Sequence, residues 1–289
     1  LFSSAASDVY KRQVAKGTLS GKVAIVTGGS RGIGRSMSLA FAASGAQVVV
    51  AARTEHEASP ESPFYKYGSG NIHDTVKQIA EAGGEALAVA CDVSNADELV
   101  NLVDRTVKHF GRIDIAVSNA GVDCESPVID LEEDLLDRCL TVNIRGPILF
   151  CKYILPHMIN QKGNGSIFCI TSGASMGYRE GRVGYSMSKA ALDRAYLNIA
   201  EEVRDHNIAV NVLSPGRVDT WMNRRGDWPG TAHIPMEQPD SINRAAVWLA
   251  AQKASTFTGQ RVERAEFGIT WGPGTVSYTH LPLPTNREV

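Results

Sequence analysis

Residues 22–35 read K-V-A-I-V-T-G-G-S-R-G-I-G-R, and this stretch limits what the chain can become more than any other. Val23, Ala24, Ile25 and Val26 form a short apolar run that suits a strand buried on both faces. Spaced glycines follow, and then Met37, Leu39, Ala40 and Phe41 recur at roughly helical spacing. The pattern predicts buried strand, tight turn and helix. Gly28 admits the sharp turn out of the strand, Gly32 lets the backbone approach a pyrophosphate, and Gly34 lets helix and strand pack closely. A phosphate placed there meets unpaired N–H groups and the positive end of the helix dipole. The spacing is G-x-x-x-G-x-G, neither G-x-G-x-x-G nor G-x-x-x-x-G-K-[ST], so taken alone it also fits an ordinary glycine-rich turn.

The rest of the chain repeats the alternation. Apolar runs at 47–52, 86–90, 113–117, 166–170 and 209–213 read as further strands, with a short last one from 259 to 262. Helical spacing covers 33–44, 72–82, 97–110, 131–159, 185–203 and 240–251, with Pro147 and Pro156 able to bend the fourth of these. Alternating strands and helices predict an α/β fold: a single-domain, Rossmann-type, doubly wound parallel sheet with helices on both faces. Ligands of such sheets bind beyond the carboxyl ends of the strands. Asp92, Asn119, Ser172 and Gly216 all follow strands and so share that edge.

Composition narrows the partners. With 43% hydrophobic and 21% charged residues the chain is globular, and a net charge of −2 supplies no basic field for nucleic acid or an anionic membrane. The seven histidines form no H-x-x-x-H pair, so no metal site is expected. Cys91, Cys124, Cys139, Cys151 and Cys169 are scattered without C-x-x-C, as for reduced core thiols in a cytoplasmic protein. No apolar stretch approaches the length of a membrane span.

The domain is expected over 19–272, between disordered ends at 1–18 and 273–289. S-D-V-Y-K-R-Q at 7–13 and S-Y-T-H-L-P-L-P-T-N-R-E-V at 277–289 resemble translated sequencing-adapter sequence, and Pro282 and Pro284 exclude helix and central strand. The polar stretch 55–71, with Pro60, Pro63, Gly68 and Gly70, reads as a long loop and an insertion.

Tyr185 and Lys189 form Y-x-x-x-K on a predicted helix, where residues four apart share a face. An ammonium near a phenol favours the phenolate, which suits proton exchange with a carbonyl or alcohol oxygen. T-G-G-S-R-G-I-G at 27–34, S-N-A-G at 118–121, Asn143, Ser172, Tyr185-x-x-x-Lys189 and Pro215-Gly216 occur in one order. This order resembles the short-chain dehydrogenase/reductase superfamily over about residues 19–272. Ser118 is a departure, since the family usually has Asn there.

The resemblance implies the roles. Tyr185 is the general acid/base, and Lys189 tunes it and holds the nicotinamide ribose. Ser172 hydrogen-bonds the substrate oxygen, an oxyanion-type task. Asn143 holds a water in the proton relay. The cofactor lies along Thr27, Gly28, Ser30, Arg31, Gly32, Ile33 and Gly34, then Asp92 and Val93 at the adenine, then Asn119, Ala120 and Gly121. Pro215, Gly216 and Val218 complete its bed, with Thr220 on the carboxamide. NAD binders usually place an acid after strand two, but here Arg53 stands there. Arg53 and Arg31 suit the 2′-phosphate of NADP, although Glu55 argues mildly for NAD.

The expected activity is hydride transfer between NADP (or NAD) and a small-molecule ketone or secondary alcohol. One alternative is reduction of a 3-oxoacyl thioester on an acyl carrier, weakly supported by Arg224-Arg225; another is a non-catalytic dinucleotide sensor. Specificity is expected in 122–127, 173–184 and 221–239, the last apolar enough for a lid. The family also implies a homodimer or homotetramer through the helices at 131–159 and 185–203.

Overall fold

Val23, Ala24, Ile25 and Val26 are fully buried, as a strand covered on both faces must be, and they belong to β1 (Val23–Thr27), an interior strand of a seven-stranded sheet. The structure is a computed structural model that describes residues 17–56, 70–161, 164–224, 235–273 and 275. The other strands are β2 (Gln47–Ala52), β3 (Ala86–Ala90), β4 (Ile115–Ser118), β5 (Ser166–Ile170), β6 (Ala209–Ser214) and β7 (Arg261–Glu263). They run in the order β3-β2-β1-β4-β5-β6-β7, and every neighbouring pair is parallel. The order reverses between β1 and β4, which opens a crevice beyond their carboxyl ends.

The helices are α1 (Gly32–Ala43), α2 (Ile72–Glu81), α3 (Ala96–Phe110), α4 (Glu133–Leu140), α5 (Gly146–Asn160), α6 (Val183–Glu202), α7 (Trp221–Arg224) and α8 (Asn243–Ala250). Alternate strand residues separate two apolar layers. Ala24, Val26, Val48 and Val50 pack under Met37 and Phe41 of α1, Ile79 of α2 and Leu249 of α8. Ile25, Val49, Ala116 and Val210 pack under Leu99 of α3, Phe150 of α5 and Leu192 and Tyr196 of α6. The doubly wound parallel sheet read from the sequence is the fold observed. Helix ends follow side-chain chemistry: the Asn71 and Asp74 side chains each accept the other's backbone N–H to open α2, and Asn95 accepts the Asp97 and Glu98 N–H groups to open α3. Gly111, at φ +78°, closes α3.

Several boundaries differ from the sequence reading. The fourth strand begins at Ile115 rather than at 113, because the Gln161 side-chain amide takes the Ile113 N–H at 2.9 Å and donates to its carbonyl at 3.0 Å. The helix at 131–159 is two helices joined through a π-turn at Thr141–Arg145. The last helix opens with a 3₁₀ turn at Pro239–Ile242. The terminal stretches 1–16 and 276–289 and most of the 55–71 insertion lie outside the described residues.

Key polar groups inside the layers are paired. The Tyr196 hydroxyl donates to Ser118 Oγ at 2.6 Å and accepts from Cys151 Sγ at 3.5 Å, so the short side chain at 118 meets a phenol from α6. All five cysteines are free and buried. Burial pushes the Cys91 thiol up to about 12 and the Cys151 thiol to about 11, which keeps both in the inert protonated form. Asp114, 3% exposed, accepts the Val23 N–H at 2.9 Å and both arms of the Arg112 fork at 2.6 and 2.7 Å. Asp114→Ala leaves a buried N–H at the head of β1 without its acceptor, and urea denaturation is expected to register a loss of about 1–3 kcal/mol.

Candidate active site

The glycine turn is shaped by what it touches. Gly28 has φ +68°, and a Cβ there would sit 2.8 Å from Asn119 Nδ2. A Cβ on Gly34 would collide with the Gly28 carbonyl, so α1 begins against the turn itself. Gly32 has φ +54°, and the atom nearest a Cβ there is Thr220 Cγ2 at 3.4 Å, which brings Thr220 to the turn. Thr27 Oγ1 donates to the Val117 carbonyl at 3.1 Å and accepts the Asn119 and Ala120 N–H groups at 3.1 and 3.2 Å. Asn119 Nδ2 donates to the Thr27 and Gly28 carbonyls at 2.9 and 3.2 Å. The Ser30 carbonyl accepts from Arg35 at 2.6 Å, and Ile33 packs against the core beneath.

Positive charge gathers at the β2 side of this turn. Burial lowers the Arg31 guanidinium from its usual range, and the charges of Arg53 and Arg35 lower it further. Arg53 Nη1 lies 3.7 Å from Asp92 Oδ2. Burial alone would raise the Asp92 carboxyl, but the Ser94 N–H (2.9 Å) and hydroxyl (2.7 Å), with Arg53, outweigh it and hold Asp92 below the usual carboxylate range. The backbone of the neighbouring Val93 packs on Gly146, where a Cβ would stand 2.5 Å from its carbonyl oxygen.

On the other side of the crevice, the loop after β4 is held by Asn143. Its Oδ1 accepts the Val122 N–H at 2.9 Å, and its Nδ2 faces the Val122 carbonyl at 2.9 Å and Ser188 Oγ at 3.0 Å. The side chain is fully buried and occupied in this way. Its main-chain carbonyl is a different matter: Pro147, four residues on, has no N–H to give it, and the π-turn lies at this point. Gly121 sits between Asn143 and Lys189, with Oδ1 and Nζ 3.3 and 3.6 Å from where its Cβ would be.

Lys189 Nζ donates to the Ile170 carbonyl at 2.9 Å at the end of β5 and lies 5.8 Å from the Tyr185 ring centroid. Ser188 Oγ donates to the Tyr185 carbonyl at 2.7 Å, linking Asn143 to the same turn of α6. Ser172 Oγ accepts the Ala174 N–H at 3.2 Å, which leaves its hydrogen to donate elsewhere. Further along the edge, Arg264 Nε donates to the Pro215 carbonyl at 2.9 Å, Gly216 has φ +74°, and Val218 is fully buried. Cys124, Cys139 and Ala174 form an apolar cluster with Tyr185.

Asp92, Asn119, Ser172 and Gly216 thus follow β3, β4, β5 and β6 at the carboxyl edge of the sheet, and Lys189 reaches that edge at the Ile170 carbonyl. Three contacts escaped the sequence reading. Ser188 bridges Asn143 to the Tyr185 turn, Arg182 stacks its guanidinium 4.5 Å from the Tyr185 ring centroid, and Arg261 of β7 reaches the Ser172 carbonyl at 3.4 Å. Only Ser188, one residue before Lys189, had a local signal. Gly34→Ala forces a methyl into backbone that cannot yield. It is expected to weaken dinucleotide binding, read by tryptophan fluorescence, by about tenfold or more, because the turn itself must move.

The chain matches the short chain dehydrogenase family over residues 22–227. It is 33% identical over 247 residues to a 3-oxoacyl-[acyl-carrier-protein] reductase of Synechocystis sp., covering 84% of this chain and 94% of that protein. It is 31% identical over 265 residues to 3beta-hydroxysteroid dehydrogenase 1 of Eggerthella lenta, covering 89% and 96%. The crystal structure of a short-chain type dehydrogenase/reductase from Mycobacterium marinum superposes with a TM-score of 0.71 at 30% identity, over 85% of this chain and 94% of that one. The glycine turn, the Y-x-x-x-K helix and these likenesses agree: the chain belongs to the short-chain dehydrogenases, a family of NAD(P)-dependent oxidoreductases.

Proposed function

We propose that the protein interconverts a ketone and a secondary alcohol using NADP, with Tyr185 as the proton donor and acceptor. The observation that carries this reading is the meeting of Tyr185, Lys189 and the end of β5 at one point: Lys189 is anchored on the Ile170 carbonyl, two residues before Ser172. The dinucleotide fits the crevice. Gly32 at φ +54° presents its backbone without a side chain beside Thr220, and the α1 N-terminus behind it favours a pyrophosphate. Arg31 and Arg53, the latter close enough for its charge to lower the Arg31 guanidinium, suit a 2′-phosphate, and Asp92 marks the adenine end. Bound there, the nicotinamide supplies or receives the hydride.

The chain's own groups handle orientation and the proton. The Ser172 hydroxyl, with its hydrogen still to give, donates to the substrate oxygen while Tyr185 passes a proton to that oxygen or takes one from it. Lys189 holds the ribose and places positive charge 5.8 Å from the Tyr185 ring. The Asn143 carbonyl, denied its helical donor by Pro147, is the station for a relay water. Thr220, at the head of α7, meets the carboxamide.

Substrates of the carrier-bound 3-oxoacyl kind, as the name of the Synechocystis relative describes, are the second reading. The Arg224-Arg225 pair supports it little, since Arg224 is already ion-paired with Asp219 and Arg225 lies outside the described residues. A homodimer or homotetramer in a cytoplasmic setting completes the proposal. The five free thiols suit that compartment, and an apolar groove of about 400 Å³ lined by Leu140, Ile144, Ile148 and Leu149 suits a second copy. Among the described residues no helix is long and apolar enough to cross a membrane.

Tyr185→Phe is expected to lower turnover of a ketone by about 10³-fold while NADPH binding, followed by fluorescence, changes little; full activity in this variant would remove Tyr185 from the mechanism. Arg53→Asp is expected to weaken NADPH binding by about tenfold or more with little effect on NADH. Equal or stronger binding of NADH by the unaltered protein would instead assign it to NAD.

A further inference from the structure

The loop after β4 and the residue ahead of α6 meet beside Tyr185. Asp123 follows the S-N-A-G-V run, and Arg182 stands at the N-cap of α6. An Arg182 N–H donates to Asp123 Oδ1, and the same oxygen accepts the Cys124 N–H at 2.9 Å. The two side chains are 12% and 19% exposed. The guanidinium carbon lies 4.5 Å from the Tyr185 ring centroid, closer than Lys189 Nζ at 5.8 Å. The Ser126 N–H donates to the Gly181 carbonyl at 2.7 Å, and a Cβ on Gly184 would collide with Cys124 Sγ, so the two segments are locked around the pair. Beyond Arg182 and Lys189, Tyr185 packs in an apolar cluster with Ala174, Cys124 and Cys139, with Val122 and Met222 alongside.

A guanidinium this close to the reacting phenol is a ready receptor for a carboxylate, since its planar fork matches that group in two parallel hydrogen bonds. Asp123 already takes one N–H of that fork through Oδ1. A carboxylate on the substrate must then either displace a carboxylate already bound or lie beside it, and both are unfavourable. On this side of the cleft an uncharged substrate meets a neutralised pair and apolar walls, while Lys189 is held on the Ile170 carbonyl.

We infer that Asp123 is a specificity-determining residue: by neutralising Arg182 beside Tyr185, it makes the substrate cleft select uncharged carbonyl compounds over carboxylates of the same shape. The inference rests on the reading above that Tyr185 meets the substrate oxygen.

The test uses two ketones of one shape, 4-methylacetophenone and 4-acetylbenzoate, with the NADPH-loaded protein. Affinity is read by tryptophan fluorescence and turnover by NADPH absorbance. The unaltered protein is expected to prefer the methyl compound by about tenfold or more. Asp123→Asn, which keeps the shape and removes the charge, should raise the ratio of acetylbenzoate to methylacetophenone at least tenfold, and added salt should erase the gain. The double variant Asp123→Asn, Arg182→Gln should lose the gain. A preference of the unaltered protein for acetylbenzoate, or an unchanged ratio in Asp123→Asn, overturns the assignment. If Asp123→Asn fails to bind NADPH and so has not folded, Arg182→Gln asks the same question. With Asp123 then uncompensated, acetylbenzoate should fall at least a further tenfold against its partner, and no fall would overturn the assignment. Binding in the expected order without turnover of either ketone would sustain the role of the pair and count against the proposed ketone reduction through Tyr185.

Discussion

The crevice depends on one brace at the point where the strand order reverses. β1 runs directly into Gly28 and Gly29, whose backbone has no side chains of its own to satisfy or hold it. Asn119, at the end of β4, supplies a single amide nitrogen to the Thr27 and Gly28 carbonyls, while Thr27 Oγ1 receives the Asn119 and Ala120 N–H groups in return. Two strands about 90 residues apart in the chain are thereby fixed at their tips. The turn can stay free of side chains and still be rigid, which is what close approach of a pyrophosphate requires.

A second constraint lies on the far side. Asn143 has its side chain occupied by Val122 and Ser188, and Pro147, four residues on, has no N–H to give its backbone carbonyl. A regular helix through this point would bury that carbonyl in an ordinary bond. The π-turn and the proline act together, and both are local departures that the surrounding helices α4 and α5 hold in register. The Ser188 hydroxyl carries the same rigidity on to α6 and the carbonyl of Tyr185.

The sheet was legible because its signals are local. Apolar runs of four to six residues, glycine turns and helical spacing each sit within a short window, and parallel topology then forces every strand-end residue to one edge. Most of the proposed site residues carry signals of the same local kind, since they follow a strand or stand on the helix face that Y-x-x-x-K defines; Asn143, in the π-turn, does neither. What escaped the sequence reading is made of long-range pairings. Arg182 and Asp123 are 59 positions apart, and Arg261 and Ser172 are 89 apart. No window contains both members, and an arginine at a helix start reads as a solvated residue. The late start of β4 escaped similarly, because Gln161, 48 positions away, takes the backbone groups of Ile113.

Ser118 shows how a departure from a family pattern can be accommodated. Its hydroxyl is met at 2.6 Å by the phenol of Tyr196, which is itself fully buried and touches Cys151. The short side chain at 118 is met by a hydroxyl carried in on a ring from α6. The two positions are therefore coupled. An apolar residue at 118 leaves the buried phenol of Tyr196 without its acceptor, and shrinking 196 alone opens a void against a stranded hydroxyl. Substitutions at these sites should be inherited as a pair, so that variation at 118 carries information about α6 rather than about the crevice it borders.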